Sequence, residues 1–313
     1  MDYRPLGITG LKVSAISLGT VELGVDYGIP IQGDFGRPTV EVAMEILLSA
    51  HEAGINLFDT APAYGVAEEL LGQALGNSEK AIFATKVSLP RDASGKLLRG
   101  TALKSTLTKS LDSSRKTLRR DKLDIVQLHN PTIEDIATHE LTDLLWEARA
   151  KGKIGFVGAS VYTVREALAA IESGHFSTIQ VAFSLLDRRM LDSVFPAANK
   201  AGVGIITRSA LLKGVLTEKA LHIPVELAPL GDAAKTAREM LGVSWHDLPG
   251  EAVRYCLGER GVATVLVGVR SVDELHTAIM TAGGEPLTIR LREQLSSITL
   301  ADERLLNPST WPL

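Results

Sequence analysis

The sequence predicts a (β/α)8 barrel. Eight short, β-rich runs recur along the chain, at residues 15–18, 56–59, 81–86, 123–128, 155–158, 179–183, 204–207 and 264–268. Several of them, such as Ile125-Val126, Ile205-Ile206 and Val265-Leu266-Val267, are apolar without alternation. Strands buried on both faces of a parallel sheet look like that. Longer helical patterns separate the runs, as they do in a barrel of βα units. A doubly wound sheet is the runner-up. Against it, Gly19-Thr20-Val21-Glu22-Leu23-Gly24 after the first strand lacks the spacing of a dinucleotide-binding glycine turn.

Taken in order, helices are expected at 40–53, stopped by Gly54, and at 67–75, stopped by Gly76. Residues 103–120 place Leu103, Leu107, Leu111 and Leu118 on one helical face. Residues 141–150 lead into Lys151-Gly152-Lys153, and 164–171 stop near Gly174. Residues 249–259 stop near Gly261, and 272–281 at Gly283-Gly284. A glycine at most helix ends suits the change of direction into the next strand. Two segments fall outside the alternation. Residues 1–13 read as a β-hairpin turning at Gly7-Ile8-Thr9-Gly10. Residues 211–248 read as a long loop after the seventh strand, with Pro224 and Pro229 inside it and Pro249 just beyond. No Pro/Ser-rich linker divides the chain, so residues 1–313 are read as one domain.

Composition narrows the function classes. Hydrophobic residues make up 45% and charged residues 22%, which excludes a disordered chain. Lys plus Arg number 33 against 37 Asp plus Glu, a net charge of −4, so nucleic-acid binding is not expected. A single cysteine, Cys256, excludes an internal disulfide and a multi-cysteine zinc site, and its apolar helical setting suggests an inert thiol. No apolar run has the length of a membrane span, and Met1-Asp2-Tyr3-Arg4 does not open a secretory leader. A cytoplasmic protein is therefore expected. Trp146 and Trp245 are read as packing on helices rather than touching ligand.

In such a barrel, polar groups at the carboxyl ends of strands are the catalytic candidates. Those ends carry Asp59, Lys86 and His129, and Tyr64 follows Asp59 by five residues. Each alone has an ordinary structural explanation: a helix cap, a solvated rim, a core imidazole. Their co-location on one face gives them chemistry together. A phenol titrates near ~10, and an ammonium beside it favours phenolate. A carboxylate holds that ammonium in place, and a neutral imidazole positions a carbonyl oxygen. Tyr64 is then the general acid–base, Lys86 its modulator, Asp59 the anchor and His129 the orienting donor. The set suits proton transfer to an oxygen becoming alkoxide and provides no nucleophile with an adjacent base. The accompanying hydride requires a nicotinamide cofactor.

The run from Gly54 through Asn56-Leu57-Phe58-Asp59-Thr60-Ala61-Pro62-Ala63-Tyr64-Gly65 closely resembles the aldo-keto reductases. So do Glu68-Glu69-Leu70-Leu71-Gly72, Ala84-Thr85-Lys86-Val87, Leu123-Asp124-Ile125-Val126-Gln127-Leu128-His129 and Ile154-Gly155-Phe156-Val157-Gly158-Ala159-Ser160. The resemblance runs from Leu6 to about Ala282. It implies a barrel with an amino-terminal hairpin closing its base, an NAD(P)(H) cofactor across the mouth, and carbonyl–alcohol redox. It also implies that Asp59, Tyr64, Lys86 and His129 are the catalytic groups. For the cofactor it implies Gly19 and Thr20 after the first strand, and Asp59 beside them. Ser160 and Gln180 would hold the carboxamide, and Ser209 and Leu211 the pyrophosphate. Gly268, Arg270 and Glu274 would meet the adenosine end. The sequence departs from the pattern at Val161, where an Asn is common, and at Arg208, where an aromatic residue usually stacks on the nicotinamide. Arg208 would lie against a ring, reach a phosphate, or turn away to an acidic residue. Glu274 would accept a ribose hydroxyl and repel a 2′-phosphate, which leans the choice towards NAD(H) over NADP(H), although Arg270 lies nearby.

The expected substrate is a small carbonyl compound or sugar. Working oxidatively, an aldose 1-dehydrogenase needs the same tetrad. Glu22, Tyr27, Tyr162 and the segment 211–248 are candidate substrate contacts. Two other classes fit parts of the pattern: a non-catalytic cofactor-binding regulatory subunit, which would not need an intact tetrad, and a Schiff-base enzyme using Lys86, which would leave Tyr64 unexplained.

Overall fold

The chain, described over residues 1–31 and 35–311 of a computed structural model, opens with an antiparallel hairpin. Its strands are β1 (Tyr3–Pro5) and β2 (Lys12–Ser14), paired Tyr3 to Ser14 and Pro5 to Lys12. Eight parallel strands follow. They are β3 (Ile16–Gly19), β4 (Leu57–Asp59), β5 (Ile82–Ser88), β6 (Leu123–His129), β7 (Ile154–Ser160), β8 (Thr178–Ala182), β9 (Gly204–Arg208) and β10 (Val262–Gly268). They close into a barrel in chain order, with β10 returning to β3. The eight β-rich runs of the sequence are these eight strands, and their unbroken apolar character follows from burial on both faces.

Helices clothe the barrel. A short α1 (Val21–Gly24) follows β3, then come α2 (Val40–Glu52), α3 (Ala67–Leu75), α4 (Gly100–Thr117), α5 (Ile133–Ile136), α6 (His139–Ala150) and α7 (Val164–Ser173). The carboxyl-terminal half adds α8 (Val194–Ala201), α9 (Ala228–Leu241), α10 (Leu248–Leu257), α11 (Val272–Ala282) and α12 (Ile289–Ser296). Local sequence sets several boundaries. Thr163 and Glu166 form a reciprocal capping box on α7, and Gly174 ends that helix in the left-handed region. The expected helix 103–120 runs instead from Gly100 to Thr117, because Arg119 takes a left-handed φ of 55° and cannot extend it.

Two expectations are corrected. The sequence reading placed no helix between the sixth and seventh strands, yet α8 is there. Pro196 reads as a breaker, but it stands in the first turn, where a missing N–H costs nothing. The segment 211–248 is not an open loop. It contains short 3-10 turns at Leu212–Gly214, Glu218–His222 and Val225–Leu227, then α9. Pro229 begins α9 and Gly242 ends it at φ 67°, the usual proline-first, glycine-last order. Its small face of Leu230, Ala233, Ala234 and Ala237 is buried, and the helix packs on α12.

The core has two parts. The larger lies between barrel and helices. The smaller fills the bottom of the barrel, where Leu6 from the hairpin meets Leu57, Ala84, Ile125, Ile206, Ala263 and Leu266. The hairpin closes the base as a plug, and burying Leu6 completely stabilises it by roughly 1.5–3 kcal/mol. Cys256 is buried and its Sγ donates to the Phe183 carbonyl at 3.4 Å, a packing role. Among the described residues no helix is long and apolar enough to cross a membrane, and no cluster of His, Cys, Asp or Glu is placed to hold a metal.

Candidate active site

The carboxyl ends of the barrel strands surround a cavity of about 620 Å³. Asp59 ends β4, and the loop after it brings Tyr64 back over the barrel. That loop lies hard against α1. A Cβ on Gly24 would collide with the Tyr64 carbonyl, and one on Gly65, at φ 56°, would collide with the Gly24 carbonyl. Two missing side chains therefore let the backbone carrying Tyr64 reach its place.

The four sequence-predicted catalytic residues come together. Lys86 Nζ lies 2.5 Å from Asp59 Oδ2, and both groups are buried. It also donates to the Thr60 carbonyl at 3.1 Å. The same ammonium sits 4.7 Å from the centroid of the Tyr64 ring. Tyr64 and His129 meet edge to face, with centroids 6.0 Å apart. The second Asp59 oxygen, Oδ1, accepts from Gln180 Nε2 at 2.7 Å and Gln127 Nε2 at 3.1 Å. A buried carboxylate with every oxygen engaged is a fixed anchor for the lysine.

The electrostatics follow from this packing. Burial works against the Lys86 charge, but Asp59 and Tyr64 more than offset it and hold its ammonium above the ordinary value. Burial raises the Tyr64 phenol, opposed by Lys86 and reinforced by Asp59. The sequence expectation that Lys86 would lower this phenol holds for the lysine's own contribution, yet the net direction is upward because burial dominates. His129 is pushed down to about 4 by burial and by the Lys86 cation, so its imidazole is neutral at neutral pH. Glu22 is pushed up to about 7, chiefly by burial, with Glu274 adding and Arg270 opposing.

The predicted cofactor residues Gly19, Thr20, Asp59, Ser160, Gln180, Arg208, Ser209, Leu211, Gly268, Arg270 and Glu274 all line the cavity, as do Tyr64 and His129. Lys86 lies behind Asp59, outside the cavity lining. Ser160 Oγ donates to Gln180 Oε1 at 3.2 Å, placing the two carboxamide candidates side by side. Ser209 and Lys213 adopt left-handed φ values of 62° and 57°, curling the chain after β9 along the cavity wall. Ser271 caps α11 by accepting from the Glu274 amide, and Glu274 supports that cap, its Oε2 accepting from the Arg270 amide at 2.7 Å. Among the described residues Arg208 pairs with no acid. Its Nη2 donates to the Val161 carbonyl at 3.1 Å and its Cζ lies 4.5 Å from the Tyr162 ring centroid.

Glu22, Tyr27, Tyr162 and the start of the 211–248 segment also line the cavity. Trp146 donates to the His175 carbonyl on the outer helices, as expected, whereas Trp245 reaches the cavity wall. Sequence reasoning missed Gln127. Its signal was the strand period: Gln127 lies two residues before His129 and so shares its face.

The model of the Aldo/keto reductase family matches residues 15–296. The chain belongs to that family. Members are NAD(P)-dependent oxidoreductases, and this aldo-keto reductase shares their barrel. It is 27% identical to the aldo-keto reductase YhdN of Bacillus subtilis, over 98% of this chain and 96% of that one. It is 29% identical to L-galactose dehydrogenase of Arabidopsis thaliana, over 100% and 97% of the two chains. An NADH-specific methylglyoxal reductase of Escherichia coli is 29% identical over 69% of each. Among solved structures, the holo form of an aldo-keto reductase from Bacillus halodurans superposes with a TM-score of 0.79 at 27% identity, covering 96% of this chain and 97% of that one.

Proposed function

We propose that this aldo-keto reductase interconverts a small aldehyde, ketone or sugar carbonyl with its alcohol, Tyr64 serving as general acid and base. The observation that carries this reading is the buried Asp59–Lys86 pair set against the Tyr64 ring, with a neutral His129 across from it. The cavity suits a nicotinamide dinucleotide. It has the volume of a ligand site, polar atoms of Ser160 and Gln180 on one wall, and the cations Lys213 and Arg270 on the walls beyond. Ser160 and Gln180 would hold the carboxamide, Ser209 and Leu211 the pyrophosphate, and Gly268, Arg270 and Glu274 the adenosine end. When bound, the nicotinamide supplies or accepts the hydride.

The residues of the chain manage the proton. His129, neutral, donates to the carbonyl oxygen and holds it within reach of the Tyr64 hydroxyl. In the reductive direction the raised phenol keeps its proton at neutral pH and delivers it to the oxygen that becomes alkoxide. Lys86 stabilises the phenolate left behind, and Asp59 keeps that ammonium charged and in position. In the oxidative direction the same phenolate takes the proton back. Tyr64→Phe is expected to lower kcat by about 10²–10⁴-fold while leaving the NADH dissociation constant unchanged. Full turnover in this variant would reject the assignment.

For the cofactor we favour NAD(H). Asp273 and Glu274 line the cavity near Arg270, and these carboxylates disfavour a further phosphate. Glu274→Arg is expected to raise NADPH affinity relative to NADH by about tenfold, despite weakening the cap of α11 by ~1 kcal/mol. An unchanged affinity ratio, measured by fluorescence titration with both cofactors, would leave Glu274 as a support of the cap alone.

A further inference from the structure

Arg208 has fewer partners than other half-buried arginines: Arg188, which also lacks a carboxylate among the described residues, ends on four backbone carbonyls, and Arg208 on one carbonyl and one hydroxyl. Arg189 is paired with Asp187, Arg292 with Glu259, and Arg120 donates to three backbone carbonyls. Arg208 lines the catalytic cavity, and among the described residues no carboxylate lies within ion-pair distance of it. Its contacts are the Val161 carbonyl, the Ser209 hydroxyl at 3.3 Å and the face of Tyr162. A guanidinium carries five N–H donors, and two acceptors leave donors of Arg208 open at the cavity wall, where an anion would meet them. The direction of the side chain says which anion. From the end of β9 its Nη1 stays on Ser209, at the start of the segment assigned above to the pyrophosphate, while its Nη2 reaches across to the loop after β7. It shares the cavity wall with Tyr27, Tyr64 and His129, the groups of the proposed reacting centre. Lys213, stacked over Tyr27 and Trp311, is the cation that stays with the pyrophosphate segment.

We propose that Arg208, seated on Tyr162, is an anion-binding subsite beside Tyr64, and that the substrate is a carbonyl compound bearing a carboxylate, an oxo acid in the reductive direction. This rests on the hydride-transfer reading above. A planar guanidinium receives a carboxylate through two N–H groups, which fixes the carbonyl a few bonds away against Tyr64 and His129.

The test compares kcat/KM for glyoxylate and succinic semialdehyde with that for methylglyoxal and glyceraldehyde. The wild type is expected to prefer the anionic pair. Arg208→Gln should reduce that preference about 10- to 100-fold, Arg208→Lys should restore part of it, and the NADH dissociation constant should stay fixed. Because Arg208→Gln can fail to fold, the wild type is also tested with oxamate, which should compete with aldehyde and not with NADH. Turnover without preference for the anionic pair would overturn the subsite and leave the hydride-transfer reading standing. So would an Arg208→Gln variant that loses NADH affinity with its substrate preference intact, which would give the guanidinium to the cofactor. No NADH or NADPH binding and no turnover of any of the four compounds would overturn the parent reading and this one with it.

Discussion

The two ends of the barrel solve the burial of polar groups in opposite ways. At the base, charged side chains end on backbone carbonyls. Arg4 Nη1 donates to Leu257 and Val262 at 3.0 and 3.1 Å, and Arg120 satisfies Leu75, Ser78 and Ala81. Carbonyls have no proton to exchange, so these contacts are the same at every pH near neutrality. At the mouth, charged groups end on one another. Asp59 holds Lys86, Lys86 biases Tyr64, and burial together with the Lys86 cation takes the charge from His129. Backbone strain is distributed likewise. Of the described non-glycine residues in the left-handed region, Asn130, Ser209, Leu212 and Lys213 follow strands at the mouth, and Arg119 alone does not. The base holds the barrel shut, and the mouth keeps groups whose states depend on each other, as reacting groups must.

The sharpest way to break this contrast is Lys86→Met. It leaves Asp59 buried without its cation and should cost about 3–5 kcal/mol of stability along with nearly all turnover. Adding Asp59→Asn should recover part of the stability and none of the activity; urea unfolding and kinetics on the same samples read both. Next in size, Leu6→Ala at the base should cost about 2–4 kcal/mol and leave kcat/KM within twofold below the unfolding transition. Turnover lost in step with stability would mean that the two ends are not separable. Smallest is the pH dependence of the mouth. Glu22 is raised to about 7 in the fold, so its contribution is complete at low pH and is lost as pH rises from about 4.5 through 7. His129, lowered to about 4, slopes the other way, losing stability as pH falls from about 6.5 towards 4. Glu22→Gln removes the first slope alone. Its Tm advantage over wild type should grow by roughly 2–4 °C between pH 5 and pH 8. A constant difference would show that Glu22 does not titrate in this window.

The strands were legible because burial on both faces leaves an unbroken apolar run, and the tetrad was legible because strand ends fix where a side chain points. The helices α8 and α9 were not, since Pro196 and Pro229 read as breakers until their place in a first turn is known. Nor was the net direction at Tyr64. Sequence shows a neighbour's charge but not how much water the fold removes, and here that removal decides the sign. Gln127 could be placed on the face of His129, but its bond to Asp59 spans 68 residues and exists only once the barrel closes.

Tyr64 stands where it does because Gly24 and Gly65 have nothing to put in its way. A methyl group at either would displace Tyr64, the proposed acid, without altering a single reactive atom. A survey scoring every substitution by lost turnover would therefore rank these two glycines beside the tyrosine, and would mistake spacers for reagents. Cofactor titration does not tell them apart, because loss of the Tyr64 hydroxyl and its displacement both leave the nicotinamide seat intact; only the contacts of Gly24 and Gly65 mark them as spacers.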